Sequence, residues 1–428
     1  MPTSRLPLAI AATALFALGG CGGGSGSNTP SEPAPDISQS CPLPTATALA
    51  IDTQQARPIL NKEDYVSAAL RFAGTDGAAL DARIRGRGNS TWDMPKKPYK
   101  LKLDNKAGLL GMPDGKDWAL LANYADKTLL RNELSFCIAR TMGLPYTPDA
   151  RTTELTLNGQ YDGVYQLTNK TYAIEDQVKA DARQAGGAPQ AGAAFNDAFV
   201  LEIDFALRED HWFHSASGMP YNFTSDTDEP QRARIEQWFN ALETLIRDRA
   251  DPGRLRKVAA LVDLQSLADY YLVNELVANV DTYQSSTYVH RRRDGLLTFG
   301  PVWDFDQALG PTKHNRAPQG WLLRNRPYNW YFKELLGEPE FAALVEQRWK
   351  HLARHVPSYQ RFFRESAAAL DAAQQRNFVR WPILGEYVFT NVIALGTYRA
   401  EVDYLDTWLG QRAQWMDVNI AALGQETP

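Results

Sequence analysis

The spacing of apolar residues changes once along this chain, and that change limits the folds open to it. From about 47 to 170, one helix-like stretch apart, the prevailing spacing is every second residue: Tyr99, Leu101 and Leu103 alternate with Lys100, Lys102 and Asp104, the pattern of a half-buried strand. Beyond about 228 the spacing becomes three and four, in "PQRARIEQWFNALETLIRD", in "DLQSLADYYLVNELVANV" and in the stretches around 340–355 and 397–423, which is the stripe of a helix packed on a core. The two periods are not interchangeable, because each puts its apolar side chains on one face only in its own geometry. An α+β chain follows, with a β-rich lobe over 47–197 and a mainly helical lobe over 198–428. A cleft between two such lobes is a common place for ligands.

Within the first lobe, "ARIRGRGNSTWDMPKKPYKLKLD" reads as two strands around a Gly- and Pro-containing loop, and 151–170 as a hairpin turning at Asn158-Gly159. Residues 126–146 read as a helix stopped by Gly143 and Pro145. The Ala- and Gly-rich run within 171–196 marks an insertion or lobe boundary.

The first residues have a different composition. Arg5, an apolar run, and Leu18-Gly19-Gly20-Cys21 have the layout of a secretory signal peptide over 1–20. The small residues before Cys21 resemble a bacterial lipobox, so Cys21 is the expected lipidation site. The apolar run is shorter than the roughly 20 residues a membrane-spanning helix needs. Residues 21–46, rich in Gly, Ser and Pro, read as a tether. The expectation is an exported protein, lipid-anchored in the cell envelope, and Gly22 after the cysteine favours the outer membrane by analogy with bacterial lipoproteins. Export puts Cys41 and Cys137 in an oxidising compartment; they form a disulfide, or Cys137 is a buried thiol in its helix. A net charge of -5 argues against a nucleic-acid partner, and "HRRR" at 290–293 is too short to alter that.

The chemistry concentrates near "GPVWDFDQALG". Two aspartates two apart, Asp304 and Asp306, share a face if the run is a strand, and like charges there repel unless a cation lies between them. The plain alternative is a strand end entering a helix, with one aspartate as N-cap. Upstream, a helix runs to about Val280 and delivers Asp281 to a loop. The strand "STYVHRR", a turn at Asp294-Gly295 and the strand "LLTFGPVW" then carry the chain back. Three carboxylates therefore converge, in the order of a protein-kinase core: one aspartate accepts a hydroxyl proton and another holds Mg²⁺ against phosphates. HRD, DFG and GxGxxG strings are absent.

Five blocks in order, "IRGRGNSTWDMPKKPYKLKLD", "DWALLANYADKTLLRNELS", "NGQYDGVYQLTNK", "NELVANVDTY" and "GPVWDFDQALG", resemble the CotH family of spore-coat-type atypical protein kinases over about residues 80–310. The resemblance implies a two-lobed, divergent protein-kinase-like fold. It also implies ATP with Mg²⁺ or Mn²⁺, and transfer of phosphate to a protein Ser or Thr. By the same resemblance Asp281 is the catalytic loop aspartate, Asp304 the metal aspartate and Asp306 a second ligand. Arg87, Asn89, Lys100 and Lys102 are candidates for phosphate contact, whereas Lys96 and Lys97 read as solvated loop residues. Arg131 and Asn132 either orient the lobe interface or form a helix-face salt bridge.

Two positions depart from the family pattern. Ser286 stands where an asparagine is usual, five residues after the loop aspartate, and Asn169 where a glutamate is usual. Hydroxyl and amide groups are weaker, uncharged partners for a metal or lysine. The alternative is therefore a catalytically weak pseudokinase serving as an envelope binding, adhesin or structural module. D-x-D also opens phosphatase sites of haloacid-dehalogenase type, although there it stands early in the fold. His351 and His355 have zinc-compatible spacing but lack the glutamate of HExxH; they, "HWFH" and the 11 tryptophans read as packing.

Overall fold

The computed structural model describes residues 34–74, 79–169, 198–225, 227–291 and 295–423, together with 174, 176–178, 180 and 181. The signal-peptide segment, Cys21, most of the Ala- and Gly-rich run and Asp294 lie outside these residues.

The division into a β-rich region followed by a helical one holds. Strands β1 (Thr47–Thr53), β2 (Val66–Phe72), β3 (Leu80–Gly86), β4 (Tyr99–Ala107), β5 (Gly115–Leu121), β6 (Ala150–Leu157) and β7 (Gln160–Asn169) form a closed barrel in the order β1-β2-β3-β4-β5-β7-β6. Closure comes from a parallel pairing of β1 with β6, Leu49 opposite Leu155. It leaves no sheet edge to protect. The alternation read from the sequence fills the barrel: Tyr99, Leu101 and Leu103 are buried with Ile51, Leu70, Ile84, Trp118, Leu155 and Leu167. The β6–β7 hairpin turns at Asn158 and Gly159, both at positive φ (50° and 76°), the two-residue turn whose twist matches the strands.

Helix α1 (Arg131–Thr141) is the middle portion of the expected 126–146 helix. Asp126 stays outside it and accepts from the backbone N–H of Arg131 at 2.8 Å. Nine of its residues, Arg131 to Ala139, are buried. A disulfide joins Cys137 of this helix to Cys41. Ile37 and Cys41, assigned to a tether by composition, are buried, and Arg140 Nε donates to the Ser40 carbonyl at 2.7 Å.

A second sheet has the order β12-β11-β8-β10-β9, from β8 (Phe199–Ile203), β9 (Trp212–His214), β10 (Pro220–Phe223), β11 (Thr287–Arg291) and β12 (Thr298–Phe299). The helices are α2 (Glu229–Arg247), α3 (Arg254–Ala259), α4 (Leu264–Leu276), α5 (Trp330–Leu336), α6 (Pro339–Ala353), α7 (Val356–Ala369), α8 (Asp371–Arg380) and α9 (Tyr398–Asn419). Asp228 and Asp263 cap α2 and α4, accepting from the N–H of Gln231 (2.7 Å) and Ser266 (3.1 Å). Helix α4 is buried from Ser266 to Leu276, which explains a sequence apolar on nearly every side.

Two expectations around the paired aspartates are corrected. The hairpin after Asp281 exists, Val289 pairing with Phe299, but its return strand is the two residues of β12 and not "LLTFGPVW". Asp304 therefore lies in a loop at φ 65°, so strand alternation does not orient it. No helix starts at Asp306 either; the chain makes a turn in which Ala308 N–H donates to the Phe305 carbonyl at 3.0 Å, and the N-cap alternative falls.

Candidate active site

A cleft of about 490 Å³ is lined by the β3–β4 connection (including Arg87, Asn89 and Lys96), by Lys100 of β4, by 121–125, by Glu202, Asp204, Arg208 and Glu209, and by Asp281, Ser286, Asp304 and Asp306. Its floor is built by the chain leaving α4. Asn279 Nδ2 donates to the Trp303 carbonyl at 3.3 Å and to Asn274 Oδ1 at 3.2 Å, while Asp281 N–H donates to Asn279 Oδ1 at 3.3 Å. One buried amide thus ties the loop carrying Asp281 to the segment carrying Asp304, although 23 residues separate the two. From the other side, Asn132 Oδ1 accepts from Phe305 N–H at 3.0 Å, and the Arg131 guanidinium donates to the carbonyls of Ala308 and Gly310 and pairs with Asp126. Arg131 thus both holds this segment and forms a salt bridge, with Asp126, while Asn132 holds the segment alone.

The backbone here is held in unfavourable conformations. Ala278, Tyr283, Ser286, Asp304 and Leu309 all have positive φ, between 47° and 65°. For residues with a Cβ this costs on the order of 1–3 kcal/mol each and persists only where the surroundings over-determine it. Burial pushes Asp281 up to about 7, with the Asp304 charge adding to the shift. Burial also raises Asp304, against the pull of Arg87 and Ser286. Asp306 is raised well above the usual carboxylate range by burial and then by Asp304, Asp281 and Asp126. At all three, burial outweighs the pull of the cations nearby.

Arg87 lies half-buried with its guanidinium 5.9 Å from the centre of the Trp303 ring. Burial lowers its proton affinity and the charges of Asp304, Tyr288 and Asp306 restore part of it. Asn89 is at the exposed rim, and Lys100 lies on the wall, 3.4 Å from Asp117. Lys102 is not among the residues lining the cleft; it stands opposite Asp117 in the β4–β5 ladder. Lys96, read as solvated, is buried: Nζ donates to Asn377 Oδ1 at 3.0 Å and to the Val164 carbonyl, and burial pushes it down to about 7. A Lys-Lys-Pro loop gives no local sign of this, because the burying groups come from β7 and α8.

Ser286 is at the site: its Oγ donates to Asp304 Oδ2 and its N–H to Glu202 Oε1, both at 3.1 Å. Asn169 ends β7 and lies outside the cleft lining, so its departure does not touch the cleft. Glu202, Asp204 and Arg208 line the cleft and were missed. The signal was present in "VLEIDF", where two carboxylates two apart among apolar residues repeat the puzzle of "VWDFDQ". Glu202 is raised to about 8 by burial and by Asp204.

A family model described as "CotH kinase protein" matches residues 84–416. The chain belongs to the CotH kinase family. The match runs from the end of the third barrel strand into the last helix, so this CotH chain carries every cleft segment except Lys62 and Glu63 within it. No curated protein matches the chain. Among the described residues no group of three or more His, Cys, Asp and Glu side chains is placed to hold a metal ion. No helix among them is long and apolar enough to cross a membrane. His351 and His355 are a packing pair, His355 Nδ1 lying 2.8 Å from the His351 carbonyl.

Proposed function

We propose that this CotH chain is a two-lobed, kinase-like phosphotransferase that passes the γ-phosphoryl group of ATP to a Ser or Thr hydroxyl of a protein. The convergence of Asp281 with Asp304 and Asp306 in one cleft, facing Arg87 and Lys100 from the barrel, carries the reading. Phosphoryl transfer needs mainly positioning and charge neutralisation, and both are provided for.

The donor set suits a divalent cation completed by phosphate. Asp304 and Asp306 are carboxylates lining one cleft, among the described residues no third ligand completes a protein-only site, and Mg²⁺ usually takes one or two carboxylates plus phosphate oxygens and water. Bound there, the metal would supply neutralisation of the phosphate charge. The chain's own residues do the rest. Ser286 orients Asp304; Arg87, Asn89 and Lys100 bind phosphate oxygens; Asn279 fixes Asp281 relative to Asp304. The acceptor oxygen bonds to the γ-phosphorus as the bond to the β–γ bridging oxygen breaks, ADP leaves, and the hydroxyl proton goes to Asp281.

The chain is exported in this reading and anchored through lipidated Cys21, and the Cys41–Cys137 disulfide fits an oxidising compartment. A nucleotide-binding module without transfer is the second reading, favoured by Ser286, whose hydroxyl stands where the family pattern has an amide. Radiolabelled ATP incubated with the full chain and a generic acceptor protein separates the two. Transfer is expected, falling by roughly 10³-fold or more in Asp304→Ala, the scale of losing a charge-stabilising group. Nucleotide binding with no label transfer would leave the binding module.

A further inference from the structure

The proposed function uses cations from the barrel side of the cleft; the opposite wall carries Arg208. Directly after β8 the chain makes a tight turn, with Leu207 N–H donating to the Asp204 carbonyl at 3.1 Å and Leu207 at φ 50°. Asp204 is buried, and its carboxylate holds the turn from within. Oδ1 accepts from Ala206 N–H at 3.0 Å and Oδ2 from Arg208 Nη1 at 2.9 Å. Asn222 Nδ2, from β10, donates to the Asp204 carbonyl at 2.9 Å.

One end of the Arg208 guanidinium is thus held by Asp204, while the side chain is 49% exposed and lines the same cleft as Asp281 and Asp304. Its charge reaches both: it opposes the upward shift of each carboxylate. Arg326, the other arginine acting on Asp281, is committed to Gln284 and the Val280 carbonyl. A guanidinium has five N–H donors, and Nη1 is the Arg208 nitrogen with a hydrogen-bond partner among the described residues. An ordinary solvated surface pair needs neither a buried carboxylate nor a locked turn. Pre-set cations beside a charge centre are the usual device for binding phosphate without reorganisation.

We propose that Arg208, presented by Asp204, binds the terminal phosphate of the nucleotide and so lets the cleft discriminate ATP from ADP. This rests on the proposed function. Arg87, Asn89 and Lys100 approach from the barrel and serve the phosphates generally. Arg208 comes from the wall that carries Asp281 and Asp304, where the reacting end of the nucleotide lies.

The test is calorimetric titration of the full chain with MgATP and MgADP. Wild type is expected to bind MgATP more tightly. Arg208→Ala is expected to lose roughly tenfold in MgATP affinity, as for one charge-assisted hydrogen bond, with MgADP unchanged. Arg208→Lys is expected to recover part of the loss, and Asp204→Asn to show a smaller one. Arg208→Ala leaves the buried Asp204 carboxylate without its partner, so melting temperatures are read alongside, and Arg208→Lys, which keeps the charge, serves as the fold control. A merely structural role would alter both nucleotides together. If Arg208→Ala keeps the wild-type ratio of the two affinities, the inference is overturned while nucleotide binding stands. If wild type binds neither nucleotide, the proposed function fails and the inference with it.

Discussion

The barrel and the wall of the cleft that carries Asp281 and Asp304 are built on opposite principles. In the barrel every level agrees: alternating residues, strand pairing and burial give one apolar core containing Leu101, Trp118 and Leu155, each 0% exposed. Along 278–309 they disagree. Five residues that are not glycine hold positive φ, and half-buried carboxylates at 281, 304 and 306 crowd one another. A chain keeps such a conflict only where its surroundings enforce it, and the enforcers are visible in Asn279, Asn132 and Arg131. One region stores stability, and the other spends some of it on geometry.

The comparison is broken most directly in the barrel. Leu101→Ala removes a fully buried side chain from a closed core and is expected to cost about 2–5 kcal/mol in denaturant unfolding. A loss under 1 kcal/mol would mean the barrel is not the stabilising unit. The cleft is expected to respond in the opposite sense. Asp306→Asn removes a half-buried carboxylate that Asp304, Asp281 and Asp126 crowd, and is expected to stabilise by roughly 1–3 kcal/mol at pH values where that carboxylate is ionised. Its sign with pH follows from the raised proton affinity of Asp306 in the folded state. Between the ordinary carboxylate range and that raised value the folded chain binds more protons than the unfolded one. The wild type should therefore lose stability as pH rises through this window, and the variant should lose less.

Lys96 belongs to both regions, lining the cleft while its Nζ lies 4.6 Å from the centre of the Tyr165 ring of the barrel. Its folded value of about 7 lies below the ordinary 10.5, so between the two the unfolded chain binds the extra proton. Stability should rise with pH across that window, by at most about 1.4 kcal/mol per pH unit. Lys96→Met, measured by denaturant midpoints at pH 7 and 9, should flatten the slope. An unchanged slope would place the lysine in water after all.

Much of the fold was legible because it is locally encoded. Asn158-Gly159, the alternation of β4, the helical spacing of α2 and α4 and the passage from Asp281 through a hairpin to Asp304 are short-range patterns, readable wherever a period or turn is spelled out. The paired aspartates shared a site as expected, but not for the expected reason: a left-handed residue and a truncated strand orient them, and no alternation rule covers that. Lys96 read wrongly and Lys102 lies off the site because burial is decided by what packs over a side chain, and a lysine in a loop looks the same in either case.

The sequence alone therefore determined the α+β division, the family blocks and the order of the three carboxylates, since these depend on residues close together in the chain. Only tertiary structure decided the rest. Barrel closure needs β1 to meet β6 about a hundred residues on, the Cys41–Cys137 bridge spans 96 positions, and Arg208 reaches the cleft because β8 pairs with β11. Long-range pairings leave no local period behind them, because the partner that fixes each residue lies outside any window in which its spacing can be read.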